Sequence, residues 1–398
     1  MAKGLLFNLP AHGHINPSLP LTEELVRQGE TIIYYTSENQ RAKITPTGAE
    51  FRTLPYELNW DAKVTRSPYV DVQLFDCTLK CMPQLIEEAK QDKPDYIIHD
   101  FVCYWGKILA EQIGVPRITL YPNPVPDISA LPPKFIFTLL DTLIPTGRVA
   151  KRMREEIATR YRRAPETLID FLTRDHGDLG IVLTSEVFQP NHAALGPSFK
   201  FVGPVIPKLP DSPAFPLAQL EGKKVIYISL GTVHGDNRGF FTKCMRAFRG
   251  TEYTVVMSTG NALEPESFAE VPPNFIIRKF VPQSEILDRA CLFITHGGMN
   301  SIHGGIYHGV PMIVIPQGIG TDQKGNARTV ERKGTGVCFT NPLFRPATLL
   351  KSVERLLGDP GLPTRLKVWR DEFRQSTAAV SGAREIINFT RQTTGLLK

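Results

Sequence analysis

Long hydrophobic runs are absent from this sequence. None reaches the ~18–20 apolar residues that cross a bilayer as a helix, so stable membrane insertion is not expected. The chain opens Met1-Ala2-Lys3 and then the short run Gly4–Leu9, without the longer apolar core and cleavage site of an export signal. That run reads as a first strand. Cysteine is scarce. Six are scattered over 398 residues (Cys77, Cys81, Cys103, Cys244, Cys291 and Cys338), several within apolar runs. Such usage fits free buried thiols in a reducing, cytoplasmic compartment. Cys77 and Cys81 are one helical turn apart, but no second Cys/His pair completes a tetrahedral site, so no metal is expected. Strong charge of one sign is lacking too: +6 is modest for this length and implies no nucleic-acid partner. Its densest part, Arg148–Arg163, is interleaved with Glu155 and Glu156 and reads as a solvated helix face.

What is present is a regular alternation. The composition, 42% hydrophobic and 22% charged over 398 residues, is that of a globular chain with the length of two α/β domains. Strands are expected at Gly4–Leu9, Thr31–Thr36, Tyr96–His99, Arg117–Tyr121 and Gly180–Thr184. Between them lie helices at Ser18–Gln28, stopped by Gly29, and Tyr104–Ile113, stopped by Gly114. Pro17 and Pro20 place a first helical turn around themselves, where missing N–H groups cost least. A stretch with Pro204, Pro207, Pro210, Pro213 and Pro216 reads as a linker. A second series of strands follows at Val225–Leu230, Tyr253–Ser258, Phe275–Lys279, Leu292–Thr295 and Met312–Ile315. The fold class is therefore α/β, with two Rossmann-like domains facing across a cleft: 1–205, a linker 206–222, and 223–379.

The residues with chemistry stand where strands end. Cys291–Thr295 breaks into His296-Gly297-Gly298 and then Met299-Asn300-Ser301, a helix start. Glycine lets backbone approach an anion, and the N–H groups and dipole of a helix start favour it. Ser229-Leu230-Gly231-Thr232 ends another strand with glycine and a hydroxyl, which suits either phosphate or a simple turn. The first strand ends in Pro10-Ala11-His12-Gly13-His14, without the GxGxxG spacing of a dinucleotide site. An imidazole there either caps the helix or takes a proton from a hydroxyl, and His14 is better placed than His12. Asp100, ending the strand through Ile98-His99, either caps the following helix or orients that imidazole. Asp322-Gln323 bring adjacent carboxylate and amide groups just past a strand.

Together these residues resemble a family 1 glycosyltransferase with the GT-B fold, of the bacterial macrolide-glycosyltransferase type, over nearly the whole chain. PAHGHINP, at 10–17, matches the family's histidine motif, with His14 on the catalytic base, and Asp100 in HDF matches its partner. Phe280-Val281-Pro282-Gln283 is similar to the W-x-P-Q element that stacks and reads the base. THGGMNS, at 295–301, resembles the diphosphate element, implying roles for His296, Gly298, Asn300 and Ser301, with Thr232 beside them. Asp322 and Gln323 match the pair that holds the transferred sugar. The resemblance implies metal-independent, inverting transfer from a UDP-sugar or dTDP-sugar cosubstrate, with UDP-glucose favoured and no further cofactor. It also implies that the terminal helix, within 380–398, packs back on the first domain.

Three departures stand out. Phe280 replaces the usual tryptophan but keeps an aromatic face. Two extra residues lie between Pro316 and Asp322, which would displace the sugar-holding pair. The family places a glutamate eight residues after the phosphate histidine, where it accepts both ribose hydroxyls; here that position is Gly304, with His303 before it. Losing such bonds costs about 1.5–3 kcal/mol each. Donor binding is then weaker, or His303 or water substitutes, or the nucleotide is thymidine-based.

For the acceptor, the aromatic and proline-rich segments 51–75 and 122–143 suit an apolar, hydroxylated small molecule such as a macrolide or flavonoid. His12, Trp60, Tyr69, Phe75 and Phe135 are the candidate contacts, although many such aromatics are ordinary core. Two other readings compete: an NDP-sugar epimerase of the same fold, and a sugar-nucleotide-binding protein without activity.

Overall fold

The computed structural model describes residues 2–58, 70–126, 145–173, 176–190, 192–206, 215–231, 237–261, 263–317, 321–339 and 344–395. Trp60, Tyr69, Phe135 and Thr232 lie outside them. The chain divides into two units, Met1–Pro207 with Thr377–Lys398, and Lys208–Ser376.

The first unit is built on seven parallel strands: β1 (Lys3–Phe7), β2 (Thr31–Thr36), β3 (Glu50–Thr53), β4 (Tyr96–Asp100), β5 (Arg117–Tyr121), β6 (Leu179–Val182) and β7 (Phe199–Phe201). Their order in the sheet is β3-β2-β1-β4-β5-β6-β7. Strands β1, β4 and β5 are covered on both faces, which is why they read as continuous apolar runs. Helices α1 (His12–Arg27), α2 (Arg41–Ile44), α3 (Val70–Asp92), α4 (Tyr104–Ile113), α5 (Pro145–Arg160) and α6 (Leu168–Thr173) belong to this unit. One core, with Phe7, Tyr35, Phe75 and Trp105, fills the side of α3 and α4. The other gathers Leu6, Ile15, Leu21, Leu25 and Ile386.

The second unit repeats the plan with six parallel strands, β8 (Lys224–Ser229), β9 (Tyr253–Ser258), β10 (Phe275–Arg278), β11 (Ala290–Thr295), β12 (Met312–Val314) and β13 (Gly336–Cys338), ordered β10-β9-β8-β11-β12-β13. Its helices are α7 (Arg238–Phe248), α8 (Gln283–Leu287), α9 (Met299–His308), α10 (Thr321–Arg332), α11 (Pro346–Leu357) and α12 (Leu362–Arg374). Helix α13 (Ala378–Thr394) belongs to the first unit, where it packs on α1. Among the described residues no helix is long and apolar enough to cross a membrane.

Two expectations are corrected here. Helix α1 begins at His12, not at Ser18, so Pro17 and Pro20 sit inside it rather than in its first turn. Its buried face of Ile15, Leu19, Leu21 and Leu25 outweighs the two N–H groups that proline removes. Side-chain bonds also support this stretch: Asn8 Nδ2 donates to the His14 carbonyl at 3.2 Å, and Ser18 Oγ to that of Ile15 at 2.7 Å. Phe75 is the second correction. It is wholly buried on α3, edge-on to Tyr104 with ring centroids 5.4 Å apart, and is a core residue with no face for an acceptor.

Candidate active site

In each sheet the crossovers change direction at one place: between β1 and β4 in the first, between β8 and β11 in the second. Crevices at such points, beyond the carboxyl ends of the strands, are where open α/β sheets bind ligands. Both groups of polar residues singled out from the sequence lie there.

At the first, His14 stands in the opening turn of α1 and Asp100 is the last residue of β4. His14 Nδ1 and Asp100 Oδ2 are 2.6 Å apart. Asp100 is 1% exposed, and its Oδ1 accepts the Val102 N–H at 2.9 Å. A ring nitrogen facing a buried carboxylate carries hydrogen and donates, which in the neutral ring leaves the lone pair on Nε2. The His14 side chain is 15% exposed, against 1% for Asp100. Phe101 stacks on the imidazole, with centroids 5.7 Å apart and planes 13° from parallel.

Behind this pair stands a residue the sequence reading missed. Asn8, buried at the end of β1, donates from Nδ2 to Ser18 Oγ at 3.1 Å and Tyr34 OH at 2.8 Å as well as to the His14 carbonyl. Burial pushes the Tyr34 phenol well above its usual range, so it stays protonated. The available signal was an amide interrupting the apolar run Leu5-Leu6-Phe7-Asn8-Leu9. His12 turns elsewhere, with Nδ1 2.7 Å from Lys43 Nζ. Burial first, and the Lys43 charge second, hold its pKa down, so it accepts from the ammonium.

At the second point β11 ends in Thr295 and α9 opens at Met299, with Gly298 as its N-cap. The first intrahelical bond runs from the Ile302 N–H to the Gly298 carbonyl at 3.0 Å, which turns the N–H groups of Met299, Asn300 and Ser301 outward along the axis. His296 lies against two glycines. A Cβ on Gly231 would stand 2.7 Å from its Cε1, and one on Gly298 2.5 Å from its Nε2. Gly231 also has φ of +70°, which L side chains rarely adopt. Backbone donors, a helix start and an imidazole thus converge in a shape suited to an anion. Asn326, buried on α10, fixes the turn by donating to the Gly297 carbonyl at 2.9 Å; sequence gave no signal for it.

The remaining residues are placed as follows. Phe280 is 42% exposed between β10 and α8, whereas Val281 is buried. Gln283 opens α8, and its Oε1 accepts from Tyr227 OH at 3.4 Å. Asp322 and Gln323 stand in the first turn of α10, and Gln323 Oε1 accepts the Gln317 N–H at 3.0 Å. Gln317 also accepts from Asn237 Nδ2 at 2.6 Å, which anchors the start of the longer loop. Gly304 faces Gln283: a Cβ there would be 3.3 Å from both Gln283 Nε2 and Leu287 Cδ1. His303 does not take the place of the family glutamate. It is buried edge-on against Phe373, centroids 5.5 Å apart, and burial holds its pKa down to about 3.

Residues 251–387 match the family model of the erythromycin biosynthesis protein CIII-like C-terminal domain. Over 396 residues the chain is 32% identical to the NDP-glycosyltransferase YjiC of Bacillus subtilis strain 168, covering 97% of each chain. It is 27% identical over 385 residues to the oleandomycin glycosyltransferase of Streptomyces antibioticus, covering 93% of this chain and 86% of that one. Its fold matches the crystal structure of the glycotransferase of kitacinnamycin with a TM-score of 0.83 at 27% identity, covering 98% and 99% of the two chains. With that likeness running from end to end through two parallel-sheet units, the chain belongs to the family 1 glycosyltransferases of GT-B fold, of the macrolide and natural-product type.

Proposed function

We propose that the protein transfers a hexose, glucose foremost, from a uridine or thymidine diphosphate sugar to a hydroxyl of an apolar small molecule, with inversion and without a metal. The observation that carries this reading is the 2.6 Å bond between His14 Nδ1 and Asp100 Oδ2, which leaves Nε2 as a base. Nε2 takes the acceptor's proton as its oxygen forms a bond to the anomeric carbon. The bond from that carbon to the diphosphate breaks on the opposite face, and the electron pair leaves with the nucleotide. Asp100 offsets the charge of the imidazolium. His296 and the start of α9 meet the charge developing on the leaving diphosphate. Phe280 offers its exposed ring to the base, while Asp322 and Gln323 hold the sugar. YjiC of Bacillus subtilis, named as an NDP-glycosyltransferase, supports the donor class, and the oleandomycin enzyme supports an apolar acceptor.

Incubation with UDP-glucose and a panel of macrolides and flavonoids, followed by mass spectrometry, tests the reaction. A gain of one hexose on an aglycone is expected; an isomerised sugar nucleotide with no glycoside would reject it. The donor nucleotide is a separate matter. Gly304 offers no carboxylate to the ribose, and its neighbour Gln283 fills the adjoining space with a neutral amide. Discrimination between UDP and dTDP is therefore relaxed. Calorimetric titration should place their affinities within about tenfold of one another, since a ribose-reading charged bond contributes at least that much. UDP binding a hundredfold tighter would rule the idea out.

A further inference from the structure

We propose that Phe101 is a positioning residue that holds the plane of the His14 ring. The inference rests on the reading of His14 as the base. Asp100 secures Nδ1 of the imidazole, but the two side-chain torsions of His14 can still combine to tilt the ring about that contact. Such a tilt swings Nε2, and misplacement by about 1 Å in an active site costs on the order of a hundredfold in rate.

Phe101 supplies the missing restraint. Its ring lies 13° from parallel with the imidazole, centroids 5.7 Å apart. Tyr121 stacks on Phe101 in turn, with ring centroids 5.5 Å apart and planes 27° from parallel. Tyr121 is itself buried, its hydroxyl 2.9 Å from His176 Nδ1 and its ring 5.8 Å from that of Phe199. The Phe101 N–H bonds the Leu120 carbonyl at 3.0 Å, which ties its backbone to β5. Two consecutive residues thus fix the base in two ways: Asp100 its nitrogen, Phe101 its face. When His14 accepts the proton, the imidazolium also lies beside an aromatic face, an arrangement that favours the cation.

The test uses the full-length protein, UDP-glucose and two acceptors. Phenol must lose its proton to react, whereas pentafluorophenol is already an anion at neutral pH and needs no base. Phe101→Leu should lower kcat on phenol by about tenfold or more, with kcat on pentafluorophenol and KM for UDP-glucose changed by less than about twofold. Phe101→Tyr, which keeps the flat ring, should restore kcat. In a His14→Ala background Phe101→Leu should change nothing further, since its effect runs through the imidazole. Phe101→Met, which keeps volume without a flat face, serves in the same assays if the leucine variant melts early.

Equal losses on both acceptors would overturn the proposal in favour of a merely structural role. A raised acceptor KM with unchanged kcat would overturn it in favour of an acceptor platform. Wild-type turnover by Phe101→Leu would overturn it outright. Full phenol turnover by His14→Ala would instead remove the base reading itself, a different and separable failure.

Discussion

Single side chains in this protein do work that their neighbours define. His14 is oriented by a carboxylate one sheet position away, and His296 by two glycines that leave room for its ring. His303 is the converse, a histidine buried against Phe373 and kept neutral. Its pKa is lowered by burial from 6.5 to about 3, so between those values the unfolded chain binds a proton that the folded chain does not. Its contribution to stability is complete above the unfolded value and is lost as the pH falls through that window. The loss approaches about 1.4 kcal/mol per pH unit for one such group. Denaturant unfolding between neutral and mildly acidic pH should therefore show a decline that His303→Leu flattens. An identical decline in the variant would show that other groups govern it. From sequence, His303 could be named as a substitute for the missing glutamate because the two positions adjoin in the chain. On a helix, adjacent residues point about 100° apart, and here the helix turns His303 to the interior and Gly304 to Gln283.

At the scale of elements, strand ends followed by helix starts place the chemistry. Strands β4, β5 and β9 and helix α4 were legible, because continuous apolar runs bounded by glycine, proline or aspartate specify them. The start of α1 was not, since the prolines pointed to a later turn, and the Asn8 bonds that support the early one come from another element. Edge strands β3, β7 and β13 escaped as well. They are short, only partly buried, and recognisable chiefly by the strand they pair with. Only the first residues of helix α3 fell in the segment 51–75 read as acceptor-binding, and its Phe75 is core. The β8 turn carries its own prediction. Gly231→Ala adds a Cβ where His296 lies and forces a residue with a side chain to φ of +70°. UDP affinity measured by calorimetry should fall about tenfold or more, as loss of an oriented anion donor requires. Unchanged affinity would mean that the His296 ring need not rest there.

For the molecule as a whole, the decisive fact is that the chain leaves its first unit and returns to it. Helix α13 completes the first core, burying Ala383, Ile386 and Ile387 beside Leu21 and Ile181. Ile386 is fully buried, so Ile386→Ala should destabilise the first unit by about 2–5 kcal/mol. Urea unfolding followed by tryptophan fluorescence would register it through Trp105, which lies in that unit. A shift below about 0.5 kcal/mol, typical of surface changes, would show that the helix contributes little. The sequence by itself determined the alternation of strands and helices, the polar residues at the strand ends, and a family resemblance that the comparisons bear out. These are local or periodic properties, written in neighbouring residues. Tertiary structure alone decided that His14 meets Asp100 and Phe101, that Gly231 beyond the end of β8 lies against His296, and that Phe75 and His303 face inward. Those contacts join residues far apart in the chain, and only the strand order of each sheet brings them within bonding distance.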